Sequence, residues 1–372
     1  MNSRERKEKR YLRRKEKRLN KIIERSNRYA SINEAFCFHK VMFYSDKCCN
    51  GVRWKKSTIN FELHQFTIIS TVCHNIKNNT YKVGNTYKFQ INERGKVRNI
   101  DAPHIKDRLV HKVLSNEIIL PIYQPHLIYD NGASQKNKGF TFSLFRLRKK
   151  LQRYFKKYGN NGYIVLIDYS KFFENSSHEV IHKIHEGYIR DSYTIQVIED
   201  YTFIVKGIAL GIEMAQKEAS IIPNVLDHYV QNRCSAIVRY MDDSCFICKS
   251  YDEALKTLRN YCELSSKYGI IINTKKTKIV KLTNYFKFCK WNYKLLPSGK
   301  VIIVPDKRTI YRQRRKLRKM YKLYQNKDLL FEEIKVSKTC FMAYLKIGNS
   351  NKYLSYLNDR YKEVNNENIC VN

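Results

Sequence analysis

Hydrophobic and polar positions along the chain repeat with two periods, one typical of strands and one typical of helices. Residues 81–103, YKVGNTYKFQINERGKVRNIDAP, alternate and contain a turn signal at Gly95, so they predict a β-hairpin. Residues 104–123 then repeat with a helical period. A second, basic amphipathic helix is predicted over residues 139–159, where Gly159 ends it.

Two strongly apolar runs each end at an acid. YIVLI, residues 163–167, is followed by Asp168. AIVRYM, residues 236–241, is followed by Asp242 and Asp243. Runs that are apolar on both faces predict buried strands, and we expect these two strands to be neighbours in one sheet. Their carboxylates would then meet at one end of that sheet.

The C-terminal part of the chain predicts a helix, further strands and a basic helix. The first helix covers residues 252–268, and a strand region follows at 269–282. Residues 284–304 predict a hairpin that turns at Pro297–Gly299. Residues 307–322 hold nine basic residues and no acid, so charge runs almost all the way round this helix and a core position is not expected.

The composition favours a soluble protein that binds a polyanion. With 372 residues, 43% of them hydrophobic, the chain can fill two or three lobes. Its 71 Lys and Arg against 34 Asp and Glu give a net charge of +37, which favours nucleic acid as partner over a membrane surface. No apolar run approaches the ~20 residues of a transmembrane helix, and no signal-peptide core is visible. We therefore expect a cytoplasmic protein with no membrane partner.

The N-terminal segment is the most basic part of the chain. Residues 1–28 hold 13 basic and 4 acidic residues and predict a helical or disordered arm. Such an arm either contacts a nucleic-acid backbone or serves as a solubilising tail.

The eleven cysteines predict no clear metal centre. Cys245 and Cys248 form a lone C-x-x-C, and a zinc site needs a second pair at ligand spacing. We expect reduced, mostly buried thiols, with a structural zinc as the less favoured alternative.

Acids held close together at the end of a sheet require something that offsets their mutual repulsion. Like charges repel at this range unless a proton or a cation lies between them. Carboxylate oxygens at an open site favour Mg²⁺, which shares its coordination with waters and substrate phosphates. Two ions roughly 3.5–4 Å apart would stabilise both the attacking and the leaving oxygen of a phosphoryl displacement. The acids thus predict a two-ion Mg²⁺ site in which Mn²⁺ can substitute.

Several ordered motifs resemble those of reverse transcriptases. Y-M-D-D at 240–243 resembles the family's signature hairpin, and DYSKFFENSSH at 168–178 resembles its first catalytic motif. Four further segments match in order, from the finger motifs to the primer grip: GKVRNIDAPHIKDRLVHKVL (95–114), ALGIEMAQ (209–216), GIIINTKKTKIV (269–280) and FKFCKWNYKL (286–295). The resemblance covers about residues 80–320, and it is greatest to prokaryotic and phage enzymes of diversity-generating retroelements and of antiphage defence.

The resemblance implies an α+β, right-hand polymerase fold with fingers, a palm made of an antiparallel sheet plus helices, and a helical thumb. The implied parts of the chain are a basic N-terminal extension (1–60), fingers (61–165), palm (166–284), and primer grip with basic thumb (285–372).

The resemblance also implies roles for residues that match the family's motifs. Asp168, Asp242 and Asp243 would be the catalytic acids and metal ligands, with Asp243 the weaker ligand or a geometric support. Phe173 would block a ribose 2′-hydroxyl, although core packing is the alternative, because Phe172 must point the opposite way on a strand.

Binding roles follow in the same way. The implied nucleotide-binding residues are Lys96, Arg98, Arg108, Gln216 and Lys276, with Lys275 and Lys278 as alternatives to Lys276 and an ion pair with Asp107 as the alternative for Arg108. The implied primer and template contacts are Tyr240, Met241, Phe288, Trp291, Arg314, Arg315 and Arg318. Ala215 and Ile212 depart from the family's pattern, which usually has Ser before Gln216 and a small or polar residue at 212.

The implied function is RNA-directed DNA synthesis from deoxynucleotides, an RNA template and a DNA primer or cDNA. A structured noncoding RNA is the expected further partner, and an accessory protein is a possible one. Two alternatives stay open: protein-primed or untemplated DNA synthesis, and a catalytically silent RNA-binding scaffold.

Overall fold

The computed structural model describes residues 2–93 and 95–355, except the side chains of Glu93 and Lys96. The chain forms two compact units, each built from several segments. The first unit comprises Met1–Asn137, Tyr169–Asn232 and Asn260–Asn273, and the second comprises Lys138–Asp168, Arg233–Arg259 and Thr274–Asn372. Each unit draws on more than one of the expected parts of the chain, so the division into extension, fingers, palm and thumb stays a prediction.

Helices make up most of the described chain. In chain order they are α1 (Ser3–Tyr29), α2 (Ile32–Ala35), α3 (Phe38–Cys49), α4 (Lys56–Leu63), α5 (Gln65–Lys77), α6 (Ile105–Val113), α7 (Leu120–Tyr123), α8 (Phe140–Tyr158), α9 (Phe172–Asn175), α10 (His178–Tyr188), α11 (Ser192–Thr202), α12 (Glu213–Ile221), α13 (Asn224–Gln231), α14 (Tyr251–Lys267), α15 (Lys307–Gln325) and α16 (Phe331–Leu345). A π-helix (Leu114–Ile119) joins α6 to α7, and a 3₁₀ turn (Gln124–His126) follows.

The strands form three antiparallel sheets. In chain order they are β1 (Thr86–Glu93), β2 (Lys96–Pro103), β3 (Tyr163–Ile167), β4 (Ala236–Tyr240), β5 (Asp243–Cys248), β6 (Lys278–Lys281), β7 (Phe286–Phe288), β8 (Trp291–Leu295) and β9 (Val301–Pro305). In the first unit, β1 pairs with β2 and Gly95 lies in their turn at φ +81°, which confirms the predicted hairpin.

A buried carboxylate organises the first unit. Asp107, 2% exposed on α6, accepts hydrogen bonds from the hydroxyls of Tyr81 (2.6 Å) and Tyr201 (2.9 Å) and from the backbone N–H of Gly84 (3.3 Å). These donors supply the partners that a buried carboxylate needs. The alternative in which Arg108 pairs with Asp107 is therefore replaced by a tyrosine-centred network.

The main sheet of the second unit has the order β4-β5-β3-β6, with every neighbouring pair antiparallel. The prediction that β3 and β4 are neighbours is wrong, because β5 lies between them. After a two-residue turn β5 must run directly back along β4, so only its other edge is open to β3. Since β3 and β4 both run antiparallel to β5, they point the same way and still end at the same edge of the sheet.

One face of α8 covers this sheet. Leu144, Leu147 and Leu151 recur at helical spacing and are 0–1% exposed, in one core cluster with Ile164 of β3 and Val238 of β4. The predicted helix over 139–159 is thus confirmed, and its basic residues occupy the faces away from this apolar stripe.

The C-terminal strands contain a turn that sequence patterning did not predict. The hairpin of β8 and β9 encloses Pro297–Gly299, as expected, while Cys289 and Lys290 form a further two-residue turn between β7 and β8. Both of these residues have positive φ, 48° and 66°, the conformation of a type I′ turn, which usually carries Asn or Gly. Neither residue type signals such a turn.

The basic helix α15 has a buried face, contrary to expectation. Ile310 and Leu317 are 7% and 8% exposed, and they share a core cluster with Ile334 and Leu345 of α16. The two apolar residues of α15 are seven positions apart, about two helical turns, so they form a narrow apolar stripe among the charges. None of the described helices is both long and apolar enough to cross a membrane.

Asp107→Ala should lower the free energy of unfolding by about 2–4 kcal/mol, because two buried tyrosine hydroxyls lose their acceptor. Urea unfolding measures this change. Asp46→Ala removes an exposed acid of α3 and is the control, with an expected effect within about 0.5 kcal/mol. Equal stabilities of the two variants would show that the Asp107 network is not needed.

Candidate active site

The turn between β4 and β5 carries the first candidate residues. Tyr240 pairs with Asp243, so Met241 and Asp242 form a two-residue loop with Asp242 exposed at its tip. Met241 has φ +54°, the conformation required at the first loop position of a type II′ turn, where glycine is usual. A bulky residue in this region costs of order 1–3 kcal/mol and persists only where the surroundings enforce it.

A buried arginine supports this turn. Arg239, within the apolar strand β4, is 0% exposed, and its Nη1 donates to the backbone oxygen of Met241 at 3.3 Å. From the other side, the rings of Tyr240 and Phe140 meet edge to face at 5.9 Å. Sequence reasoning missed Arg239, although a lone cation inside an apolar run is a visible signal for a special role.

Asp168 lies at the same end of the sheet. The last pair of β3 and β5 is Ile167 with Ser244, so the register continues from Asp168 towards Asp243. The backbone N–H of Asp168 donates to Thr277 Oγ1 at 3.3 Å, and Lys276 Nζ lies 3.3 Å from Asp168 Oδ2. The structure thus brings Lys276, the chosen one of three candidate lysines, to the acid.

The three acids interact electrostatically. Burial of its carboxylate, followed by the charges of Asp242 and Asp168, raises the pKa of Asp243 to about 6, although the residue as a whole is exposed to solvent. The Cys289 thiol donates to Asp243, and Lys290 lies near enough to oppose the rise. Asp243 is therefore held at an electrostatic cost when it is ionised.

This donor set fits a divalent cation. Three carboxylates that repel one another at a partly exposed sheet end supply the hard oxygen ligands that Mg²⁺ or Mn²⁺ prefers. A dication would replace the repulsion with attraction, so it would offset the cost seen at Asp243. Asp168, Asp242 and Asp243 are the residues that could hold it.

The predicted primer contacts divide into two groups. Phe288 and Trp291 are 2% and 0% exposed and pack in the core of the second unit, so the prediction that their rings contact primer is corrected. They flank the Cys289–Lys290 turn, and their burial fixes that turn beside Asp243. Tyr240 and Met241 lie at the acid-bearing turn and are partly exposed.

The predicted backbone contacts lie on α15. Arg315 and Arg318 are exposed, and Arg314 is partly exposed. All three lie on α15 outside its buried positions, Ile310 and Leu317.

A pocket in the first unit contains two of the predicted nucleotide-binding residues. It has a volume of about 540 Å³, and its lining includes Arg98 of β2, Phe173 of α9, Lys88 and Lys206. Gly207, beside it, allows close chain approach: at φ +81°, an added Cβ would lie 2.1 Å from the Phe173 backbone oxygen. The acids Asp101 and Glu174 line the pocket too, and its three basic side chains beside an aromatic ring suit a phosphorylated, ring-containing ligand.

The argument that placed Phe172 and Phe173 on a strand is wrong. Both lie in α9, where Phe172 is buried and Phe173 is partly exposed. Adjacent residues on a helix also diverge, because each turns by about 100° from the last. The two rings therefore still face different surroundings, for a different reason.

The remaining nucleotide-binding candidates lie elsewhere in the first unit. Lys96 is in β2, and its side chain is outside the description. Arg108 is half-buried on α6, and Gln216 is exposed on α12. The departures from the family's pattern, Ile212 and Ala215, are both 1% exposed, so both pack in the interior.

The C-x-x-C does not form a metal site. Cys245 and Cys248 are three positions apart on β5 and so face opposite sides of the sheet. Cys248 Sγ instead lies 3.6 Å from Cys234 Sγ, and together with a Glu253 oxygen these ligand atoms lie within 4.8 Å of one another. Three ligands are fewer than the four of a closed structural zinc site, and the described cysteines are free.

Residues 77–319 match the family described as "Reverse transcriptase (RNA-dependent DNA polymerase)". The match spans more than half of the chain, and the chain belongs to this family. Its fold class is the α+β right-hand polymerase fold, as predicted. The family acts on an RNA template and a DNA primer and uses divalent metal ions.

Solved structures resemble part of the chain. The apo telomerase from Candida Tropicalis truncated from its C-terminal domain aligns with a TM-score of 0.45 and 14% identity, over 58% of this chain and 54% of that chain. A further apo telomerase structure from Candida Tropicalis aligns with a TM-score of 0.44 and 13% identity, over 59% and 48%. The chain thus spans about half the length of these telomerase chains. Among curated proteins, none matches it.

Asp243→Asn should stabilise the metal-free protein near neutral pH. Because the folded-state pKa is raised from 3.8 to about 6, the wild type loses stability as pH rises through this window and does not regain it above. A neutral amide removes that cost, which is about 1 kcal/mol after allowance for solvent screening.

Thermal melts in a chelator across this pH range measure the effect. The gain should be largest above pH 6 and should vanish towards pH 3.8. Asp252→Asn changes an exposed acid of α14 in the same way and is the control. If Asp243→Asn melted no higher than wild type near neutral pH, the ionised Asp243 would not destabilise the folded protein, contrary to this prediction.

Proposed function

We propose that this protein copies an RNA template into DNA by nucleotidyl transfer at Asp168, Asp242 and Asp243, with Mg²⁺ as the metal. The observation that carries the proposal is the meeting of these acids at one end of the β4-β5-β3 sheet, where their charges act on one another. A protein that only binds nucleic acid gains nothing from three acids in a chain with a net charge of +37.

The three acids have two tasks in this proposal. Asp168 and Asp242 would hold the divalent ions, and Asp243 would support their geometry from beneath. Bound ions would stabilise negative charge on the attacking and leaving oxygens. Lys276, already paired with Asp168, would bring a positive charge or a proton to the leaving pyrophosphate.

The first unit supplies the proposed nucleotide-binding groups. Arg98 would bind the triphosphate through charge-assisted hydrogen bonds, with Lys96 and Arg108 as further cations. Phe173 would exclude a ribose 2′-hydroxyl by contact, and Gln216 would support the nucleotide–template pair. On α15, the three arginines would contact backbone phosphates without reading sequence.

The proposed template is a structured noncoding RNA or an element-encoded RNA, in a bacterial antiphage-defence system or a diversity-generating retroelement. The large positive charge supports an RNA partner, which would neutralise part of it. Sequencing the neighbouring genes separates the two settings: template and variable repeats beside a variable-protein gene indicate a retroelement, and a cluster of defence genes indicates defence.

Asp242→Asn should reduce nucleotide incorporation by about a thousandfold or more, because the site loses a charged ligand. Primer extension on poly(rA)·oligo(dT) measures this, and Asp252→Asn is the matched control. Product that forms without template would favour untemplated or protein-primed synthesis. Tight RNA binding by a wild type that makes no product would favour a silent scaffold.

Phe173→Ala should weaken the preference for dTTP over UTP by about tenfold to a hundredfold, because the barrier to the 2′-hydroxyl is removed. The measurement is the ratio of incorporation efficiencies opposite adenosine. Phe66→Ala removes a ring that is 69% exposed in the same unit and serves as control. An unchanged ratio in the Phe173 variant would assign that ring to packing.

A further inference from the structure

A basic pocket lies in the second unit, away from the catalytic acids. It has a volume of about 430 Å³, and its lining comes from the C-terminal half of α8 and from both ends of the β4–β5 hairpin that lie opposite the acids. Five of its lining residues are cations and, among the described residues that line it, none is an acid: Lys150, Arg153, Lys157, Arg233 and Lys249.

The strand β5 separates this pocket from the acid-bearing turn. Asp243 begins β5, and Lys249 follows its last residue. Six residues of extended chain span roughly 20 Å. A group bound here is therefore distinct from the reacting nucleotide and from the primer end beside Tyr240 and Met241.

Two lysine side chains of this pocket lie near one aromatic ring. Lys249 Nζ lies 4.8 Å and Lys157 Nζ lies 5.2 Å from the centre of the Tyr158 ring. A hydrogen bond from Lys157, together with the charges of both lysines, lowers the pKa of the Tyr158 hydroxyl. Glu253 is the nearby acid, and its carboxylate already accepts from the backbone N–H of Lys249 at 2.8 Å.

Crowded cations beside a concave surface favour an anionic ligand. Like charges held close together repel one another, and a bound phosphate replaces that repulsion with attraction. Arginine and lysine around the partly exposed ring of Tyr158 supply phosphate contacts and a stacking surface, the combination that nucleic-acid grooves use.

We propose that this pocket, defined by Arg153, Lys157, Tyr158 and Lys249, binds backbone phosphates of an RNA outside the segment being copied. The identification of the polyanion as RNA rests on the proposed function. The binding of phosphate by this pocket does not depend on that function. The site would hold a structured part of the template-bearing RNA while synthesis proceeds at the other end of the sheet.

Two triple variants of the full chain test this proposal. Arg153→Ala, Lys157→Ala and Lys249→Ala together neutralise the pocket. Arg259→Ala, Lys256→Ala and Lys267→Ala together remove one arginine and two lysines from exposed positions of α14, so they match the change in charge and residue type. The probe is a fluorescent blunt RNA hairpin, measured with saturating poly(rA)·oligo(dT) present so that the copying site is occupied.

The pocket variant should bind the hairpin about tenfold to a hundredfold more weakly than wild type, and the slope of log affinity against log salt should fall by about two. The α14 variant should stay within about twofold of wild type, and both should extend oligo(dT) at the wild-type rate. Equal losses in the two variants, or loss of extension in parallel with hairpin binding, would overturn the proposal.

A nucleotide ligand is the other source of phosphate. Titration with ATP in place of the hairpin distinguishes the two sources. If the pocket variant lost ATP binding but kept the wild-type affinity for the hairpin, the ligand of the pocket would be a nucleotide and not RNA. If wild type bound the hairpin as expected but extended no primer, the proposed function would fail while the phosphate pocket stood.

Discussion

Electrostatic repulsion among Asp168, Asp242 and Asp243 is the constraint on which the rest of the structure depends. Antiparallel pairing of β3 with β5, and of β5 with β4, brings these acids to one end of a sheet. Burial of the carboxylate, followed by the charges of Asp242 and Asp168, raises the pKa of Asp243, so its ionised form is unfavourable there. A fold that accepts this cost requires a compensating cation or a rigid support, and the second unit provides the support.

The support comes from several independent contacts. The α8 leucine stripe packs the sheet from one face, and the fully buried Trp291 anchors the β7–β8 hairpin. Arg239 holds the carbonyl of Met241, so a residue with unfavourable φ stays at the turn. Packed elements of this kind resist displacement, so they limit the movement of the acids that they carry.

Much of the second unit could be predicted because its signals are local. YIVLI and AIVRYM are apolar on both faces, and each leads directly to an acid, so strands and candidate site follow from the pattern. The strand order could not be predicted, because it depends on which strand of the β4–β5 hairpin pairs with β3, and that is a long-range choice. The β7–β8 turn was missed because Cys289 and Lys290 are unusual at positive φ.

The site residues show the same limit. Trp291 and Phe288 stand where the family's primer grip falls, yet burial removes their rings from any contact with nucleic acid. Arg239 and Cys289 escaped notice because their effect on the site depends on tertiary contacts that no short motif encodes. The sequence favoured Lys276 but left Lys275 and Lys278 open, and the structure places Lys276 beside Asp168.

Manganese binding tests the central claim most directly, because Mn²⁺ at a carboxylate cluster is detected by electron paramagnetic resonance without any turnover. Titration of the full chain, bound to primer–template and a non-extendable nucleotide, should show Mn²⁺ bound by wild type and lost in Asp168→Asn. Equal Mn²⁺ binding by the two proteins would contradict a shared cation at the end of this sheet.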